Sequence, residues 1–431
     1  MNEHPISNLH WYALEPLDVL LFRESKPFSP GDGSWAKGLF PPMPHAVFQA
    51  LRSTLPTMDK LEESNKLTFI GPFLAHEPPG GELELWFPTP KDLLAVQTIE
   101  QNAPNSGDGS TEAEQTEEFE KTTQNWERTV RFQPCPRDEK QWMHIAFPSD
   151  LEASQRLAPM VPPVLEINER VSGRLKPWMR TTALVDYLQG KSLSNPTDFT
   201  DDPWDIQILP HIQMEPGLRQ VKDQEGYFTE VAVRLQPYWK LVAGISTKLE
   251  ATAVRLGGEG HHVLVEPLIQ APKETPTGGS SGKFSGERHH ALVETLAAPK
   301  DWKALEPFLT PPSAGTPCSA YVLTPGLAQV GEFLYGVFPK DWHRALEGCV
   351  GDRPLLWGGM SVYRKEGKRE TAFMPQRAFV VPGTVYRFKE PPSNNHHLLP
   401  QRTSAEGWQW VSVFEDLGYG TLLWEKATPS E

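Results

Sequence analysis

Cysteine is scarce in this sequence, and the three present stand far apart. Cys135, Cys318 and Cys349 form no CxxC pair. A thiolate zinc site needs closely spaced ligands, so this scatter argues against one. An odd, unclustered set suits a reducing compartment better than a disulfide framework. Long apolar runs are missing as well. Nothing approaches the roughly 20 residues that span a bilayer, and the N-terminus lacks the basic-then-apolar pattern of a cleavable signal. Together these absences predict a soluble cytoplasmic protein with no membrane partner. There is no HExxH motif. Histidines come instead as neighbours, at 261–262, 289–290 and 396–397. Adjacent side chains on an extended chain point apart, so such a pair does not chelate one ion. Neither a metal nor a cofactor is expected.

What the chain has in excess is proline and glycine, 43 and 33 of its 431 residues. Turns and irregular connections must therefore take up much of it, and long helices should be few. The formal net charge is −14, which by itself argues against nucleic acid. That charge is unevenly spread. Residues 98–121 hold seven acidic side chains against Lys121 alone, so a basic groove elsewhere stays open. The segment 98–125 reads as a disordered acidic insertion, and 272–290, PKETPTGGSSGKFSGERHH, as a flexible linker.

Residues 11–23 read as a strand broken at Pro16, followed by a long proline- and glycine-rich loop over 26–44. In HAVFQALRSTL, Val47, Ala50, Leu51 and Leu55 have helical spacing behind prolines 41, 42 and 44. LTFIGPFLAH and ELELWFPTP, divided by PPGG, read as a hairpin. Further strands are expected at 227–235, 240–245 and 249–256, a short helix at 340–347, and closing strands at 377–388 and 408–425. The order strand, loop, helix, strand, hairpin fits one half of a ferredoxin-like unit. The expected fold class is α+β, with two ferredoxin-like (RRM-like) domains and long loop insertions, divided as 1–215 and 216–431.

RLGGEGHHV, 255–263, is the most unusual stretch. It admits four readings: a plain turn, a phosphate cradle, a metal site or a catalytic histidine. A nucleotide loop of the GxxxxGK[ST] kind is better sought in GGSSGKF (278–284), but Thr277 and Phe284 depart from it. His262 has a pKa range fit for a general base, yet nothing in the sequence must orient it. Glycines Gly257, Gly258 and Gly260 would let a backbone approach a phosphate closely. On the flanking strands, Arg255 and Arg234 alternate with apolar residues and so fall on polar faces. The N-terminal stretch adds cations Arg23, Lys26, Lys37 and Arg52, interleaved with Phe28, Trp35 and Phe40. Cations hold phosphates while aromatics stack unpaired bases, so these residues, with His261 and His262, form the candidate RNA surface.

PLDVLLFRESKPF (16–28) followed by FPPMPHAVFQALR (40–52) resembles the opening of a RAMP protein of type III-B CRISPR–Cas (Cmr) effector complexes, the subunit that binds the 5′ tag of the crRNA. RLGGEGHHV is similar to that family's glycine loop, VVPGTVYRF (380–388) to its late proline–glycine step, and LGYGTLLW (417–424) to its C-terminal glycine motif. The motifs keep their order across nearly the whole chain. The resemblance implies a RAMP pair of ferredoxin-like units and a non-catalytic role. It implies as partners the crRNA 5′ tag, the large polymerase/cyclase-like subunit, and the backbone and small subunits of the complex. His261 and His262 stand where the family usually has arginine, and Thr421 breaks an RNP1 octamer after GYG. Two rivals remain: an endoribonuclease processing precursor RNA with His262 as base, and a protein-contacting scaffold without RNA contact.

Overall fold

The computed structural model describes residues 9–22, 35–36, 38–55, 67–99, 126–135, 142, 157–212, 215, 217, 220, 227–258, 260–268, 298–331, 334–365, 368–393, 396–400 and 409–426. The linker at 272–290 and the acidic stretch 100–125 lie outside them. Mixed α and β structure, rich in strands, is what the chain forms. No described helix is long and apolar enough to cross a membrane.

An antiparallel sheet of eight strands organises the molecule. Its order is Phe199–Thr200, Trp178–Arg180, Glu84–Pro88, Phe69–His76, Trp239–Ile245, His10–Pro16, His262–Pro267 and Thr252–Arg255. The expected hairpin is there, with Leu74 opposite Trp86. Successive side chains of a strand face opposite ways, and here both faces are covered. Tyr12, Leu14, Leu241 and Ala243 point into one core, shared with Val47, Phe48 and Leu51 of helix Pro44–Arg52. Trp11, Ile70, Phe73 and Val242 point into another, shared with helices Thr181–Leu188 and Lys300–Leu305. Two-sided burial explains why these strands read as continuous apolar runs rather than alternating ones.

Strands 10–16 and 69–76 are parallel neighbours-but-one, with Trp239–Ile245 between them and antiparallel to both. Residues on the two sides of position 215 therefore pair within one sheet, and the division expected there does not separate two sheets. Local periodicity carries no information about such distant pairing.

A second, four-stranded sheet has the order Leu346–Val350, Val385–Phe388, Cys318–Val322 and Leu422–Trp424. Strands Leu355–Lys365 and Lys368–Phe379 form a separate long hairpin. Two expectations need correction. Residues 408–425 are not all strand: Gln409–Asp416 is a helix, and only Leu422–Trp424 is extended. Val411, Phe414 and Leu417 are the buried positions, three apart as on a helix face. At 340–347 the helix is a 3₁₀ turn, Lys340–Arg344, that gives way to a strand at Leu346. A third, three-stranded sheet has Trp204–Ile212 at its edge, then Tyr227–Leu235, then Trp35–Ala36.

An ionic cluster ties the three-stranded sheet containing Arg128–Arg131 to the four-stranded one. Arg131 reaches Asp92 and Glu425, both at 2.9 Å, and donates to the Tyr187 hydroxyl at 2.8 Å. Tyr187 donates in turn to Asp92 at 2.8 Å. Asp92 is almost wholly buried, so its charge needs these partners.

Candidate functional site

The glycine loop caps a hairpin in which Arg255 stands directly opposite His262. Leu256 donates to the His261 carbonyl at 3.0 Å and closes the turn. Gly257 and Gly260 have φ of 88° and 81°, a region that side chains with a β-carbon rarely adopt. They use that freedom differently. A β-carbon on Gly257 would run into the Leu21 carbonyl oxygen, whereas one on Gly260 would meet nothing within 4 Å. The Gly258 amide donates to the same Leu21 oxygen at 2.8 Å. The close backbone approach that the glycines permit is thus, at 257–258, an approach to the chain's own residue 21.

The segment 17–22 is the keystone of the region. Leu17 donates to the His262 carbonyl at 3.0 Å, and Leu20 exchanges two hydrogen bonds of 2.8 Å with Val233. Leu39 donates to Phe22 at 2.8 Å, bringing the end of the N-terminal loop back beside it. Gly38 sits where a β-carbon would lie 2.9 Å from the Val231 carbonyl oxygen. Backbone pairing places Trp35 next to Thr229. Three stretches distant in sequence, 35–39, 227–235 and 255–262, therefore converge on residues 17–22.

The predicted residues fare unequally. Arg255 and His262 are exposed, side by side on the hairpin. Arg234 is exposed too, but its guanidinium is engaged with Asp18 at 2.8 Å and Gln207 at 3.2 Å. His261 is half-buried and its Nε2 is enclosed, with no hydrogen bond to a described residue. Arg52 ends helix Pro44–Arg52, where a cation suits the dipole, and this helix packs against strand Thr252–Arg255. Arg23, Lys26, Phe28 and Lys37 lie outside the described residues, as do Glu259 and the His289–His290 pair.

An aromatic row leads away from the keystone. Phe22 and Phe40 have ring centroids 6.3 Å apart, Phe40 meets Trp204 edge-on at 4.7 Å, and Trp204 meets Trp178 at 5.7 Å. It ends in a cleft of about 300 Å³ lined by Phe40, Trp86, Trp178, Pro325 and Asp352.

The family model described as CRISPR-associated protein (Cas_Cmr3) matches residues 12–427. The chain belongs to the Cas_Cmr3 family. It is a CRISPR-associated protein of the Cmr3 kind. No curated protein matches it. Two similar chains come from cryo-EM structures of the Type III-B Cmr-beta, one bound to cognate target RNA and AMPPnP (state 1), the other bound to cognate target RNA. The first is 10% identical, covers 88% of this chain and 86% of that one, and has a TM-score of 0.38. The second is 11% identical, with the same coverage and a TM-score of 0.37.

In this Cas_Cmr3 chain the C-terminal glycine motif is internal architecture. Gly418 and Gly420 have φ of 66° and 69°. A β-carbon at Gly418 would lie 2.6 Å from the Phe69 carbonyl oxygen. Thr324 and Thr421 both donate to the Gly418 carbonyl, at 2.6 and 2.8 Å. Between the two glycines, the Tyr419 hydroxyl lies 3.0 Å from His45 Nδ1, at the start of helix Pro44–Arg52. Burial pushes the His45 pKa down to about 4, so the imidazole is neutral at neutral pH. Sequence reasoning missed Trp178, Trp204 and Trp86, because only the tertiary fold sets them beside Phe40.

Proposed function

We propose that this Cas_Cmr3 subunit is a non-catalytic crRNA-binding protein that anchors the repeat-derived 5′ tag and docks to the large polymerase/cyclase-like subunit. The observation carrying the proposal is the convergence on residues 17–22 of the glycine hairpin, the Tyr227–Leu235 strand and the returning N-terminal loop. The segments that bear Arg234, Arg255 and His262 so meet at one place. Arg255, Gly260, His261 and His262 are the loop's contacts to RNA. Gly257 and Gly258 act indirectly, by holding the loop on Leu21. Arg255 supplies the cation that a phosphate needs, and the proposal includes Arg23, Lys26, Phe28, Trp35 and Lys37 as further RNA contacts.

The RAMP fold is part of the same reading. Strands His262–Pro267, His10–Pro16, Trp239–Ile245 and Phe69–His76 lie in the 4-1-3-2 order of a ferredoxin-like unit. Helix Pro44–Arg52 makes its first crossover. The short strand Thr252–Arg255 occupies the place in sequence of the second helix. The non-catalytic reading fits His262 being exposed and standing opposite Arg255, with no hydrogen bond from its ring to a carboxylate among the described residues.

Crosslinking a tagged copy in cells, purifying it under denaturing conditions and sequencing the attached RNA tests the proposal. Reads should pile up at the repeat-derived 5′ end of crRNA and fall severalfold in Arg255→Glu. Background RNA alone, with the large subunit still co-purifying natively, would leave a protein-contacting scaffold. Metal-independent cleavage of repeat RNA, lost in His262→Ala, would establish the nuclease instead.

A further inference from the structure

The edge strand Trp204–Ile212 has its pattern inverted. Its apolar residues Ile206, Ile208 and Ile212 are 59%, 51% and 53% exposed. On the opposite face Gln207, Leu209 and His211 are half-buried. A strand on a free protein surface turns isoleucine inward, because burial is what those side chains contribute. The three isoleucines together offer roughly 300 Å² of apolar surface, the size at which a patch on a monomer is often functional.

The strand is also long and open along one side. Nine residues pair with Tyr227–Leu235, and no described strand pairs with the other side. Proteins blunt such edges with short strands, lysines or proline. Pro210 is the single device of that kind here. A proline cannot donate to a ladder, so its nitrogen belongs on the open side, and the amides of Ile206, Ile208 and Ile212 share that side by the two-residue period.

Charge selects the occupant. From residue 192 to 218 there is no lysine or arginine, while Asp198, Asp201, Asp202, Asp205 and Glu215 are acidic. Arg180 and Lys176 offset Asp198 and Asp201, and Arg234 on the neighbouring strand is paired with Asp18, so the edge stays net acidic and disfavours RNA phosphates. A second copy laid on this edge would bring the same acidic segment against itself. A basic partner strand meets neither obstacle. We infer that the open edge and isoleucine face of Trp204–Ile212 receive an extended, lysine- or arginine-bearing segment of another protein subunit of the effector, added as a further β-strand. The inference does not rest on the RNA-anchoring reading.

The test places a photoreactive benzoylphenylalanine at Ile208 in the tagged full-length chain, expressed with the rest of its effector. After irradiation and denaturing purification, mass spectrometry identifies the attached peptide. The expected adduct is to another effector subunit, in a segment carrying lysine or arginine with alternating apolar residues. The same probe at Val164, exposed and outside this sheet, should not capture that segment. Ile206→Lys with Ile208→Lys should lower recovery of that subunit at least tenfold, with an unchanged circular dichroism spectrum. An adduct to RNA, an adduct to a second copy, or no adduct from an intact effector would each overturn the inference.

Discussion

Replacing Gly257 and Gly260 by alanine, one at a time, separates two reasons for a glycine. Both have positive φ, which costs alanine about 1–2 kcal/mol. At Gly260 the cost ends there, since a β-carbon has open space around it. At Gly257 it would strike the Leu21 carbonyl oxygen, so the turn must withdraw. Withdrawal breaks the hydrogen bond from the Gly258 amide to Leu21, worth about 1 kcal/mol. Gly257→Ala should therefore cost about 3 kcal/mol and Gly260→Ala about half as much. Hydrogen–deuterium exchange of peptides spanning 17–22 and 256–262 reads this locally. In Gly257→Ala the Gly258 amide should exchange on the order of tenfold or more faster, and in Gly260→Ala it should change far less. Equal effects would refute the reasoning, for they would mean that the Leu21 contact carries no weight. A Gly258 amide already unprotected in the RNA-free wild type would refute it too, and would return that amide to the phosphate.

Three further outcomes are expected. His45 has its folded-state pKa depressed to about 4, below the unfolded value of 6.5, so its contribution is intact above pH 6.5 and is lost as pH falls toward 4. The loss approaches about 3 kcal/mol at roughly 1.4 kcal/mol per pH unit, and urea midpoints of wild type and His45→Gln between pH 4.5 and 7.5 should show it as a difference in slope. Arg131→Met leaves Asp92 buried without its cation and should destabilise by about 3–5 kcal/mol in urea unfolding. Cys318 is buried and its thiol is pushed up to about 12, so in the native protein at pH 8 it should resist a thiol reagent that labels it promptly in urea.

Local chemistry made a good part of this protein legible in its sequence. Prolines ahead of Val47, Ala50, Leu51 and Leu55 announced a helix, PPGG between two apolar runs a hairpin, and the glycines of RLGGEGHHV a backbone able to approach another group closely. Each is a property of a few consecutive residues, fixed by their own dihedral and burial preferences. At 408–425 the local signal misled: tryptophan, valine and phenylalanine favour strands, but packing selected the helix face through Val411, Phe414 and Leu417. The site was legible as ingredients and not as an arrangement. Residue 257 had to be glycine, but only the fold decided that the atom it makes room for belongs to Leu21. Tertiary pairing likewise slid Trp239–Ile245 between two strands from the first eighty residues, and left three isoleucines in the open on Trp204–Ile212. The physical reason is common to all of these. Periodicity states which face of an element is apolar, whereas the element that covers it is chosen by long-range packing, which no local window of sequence contains.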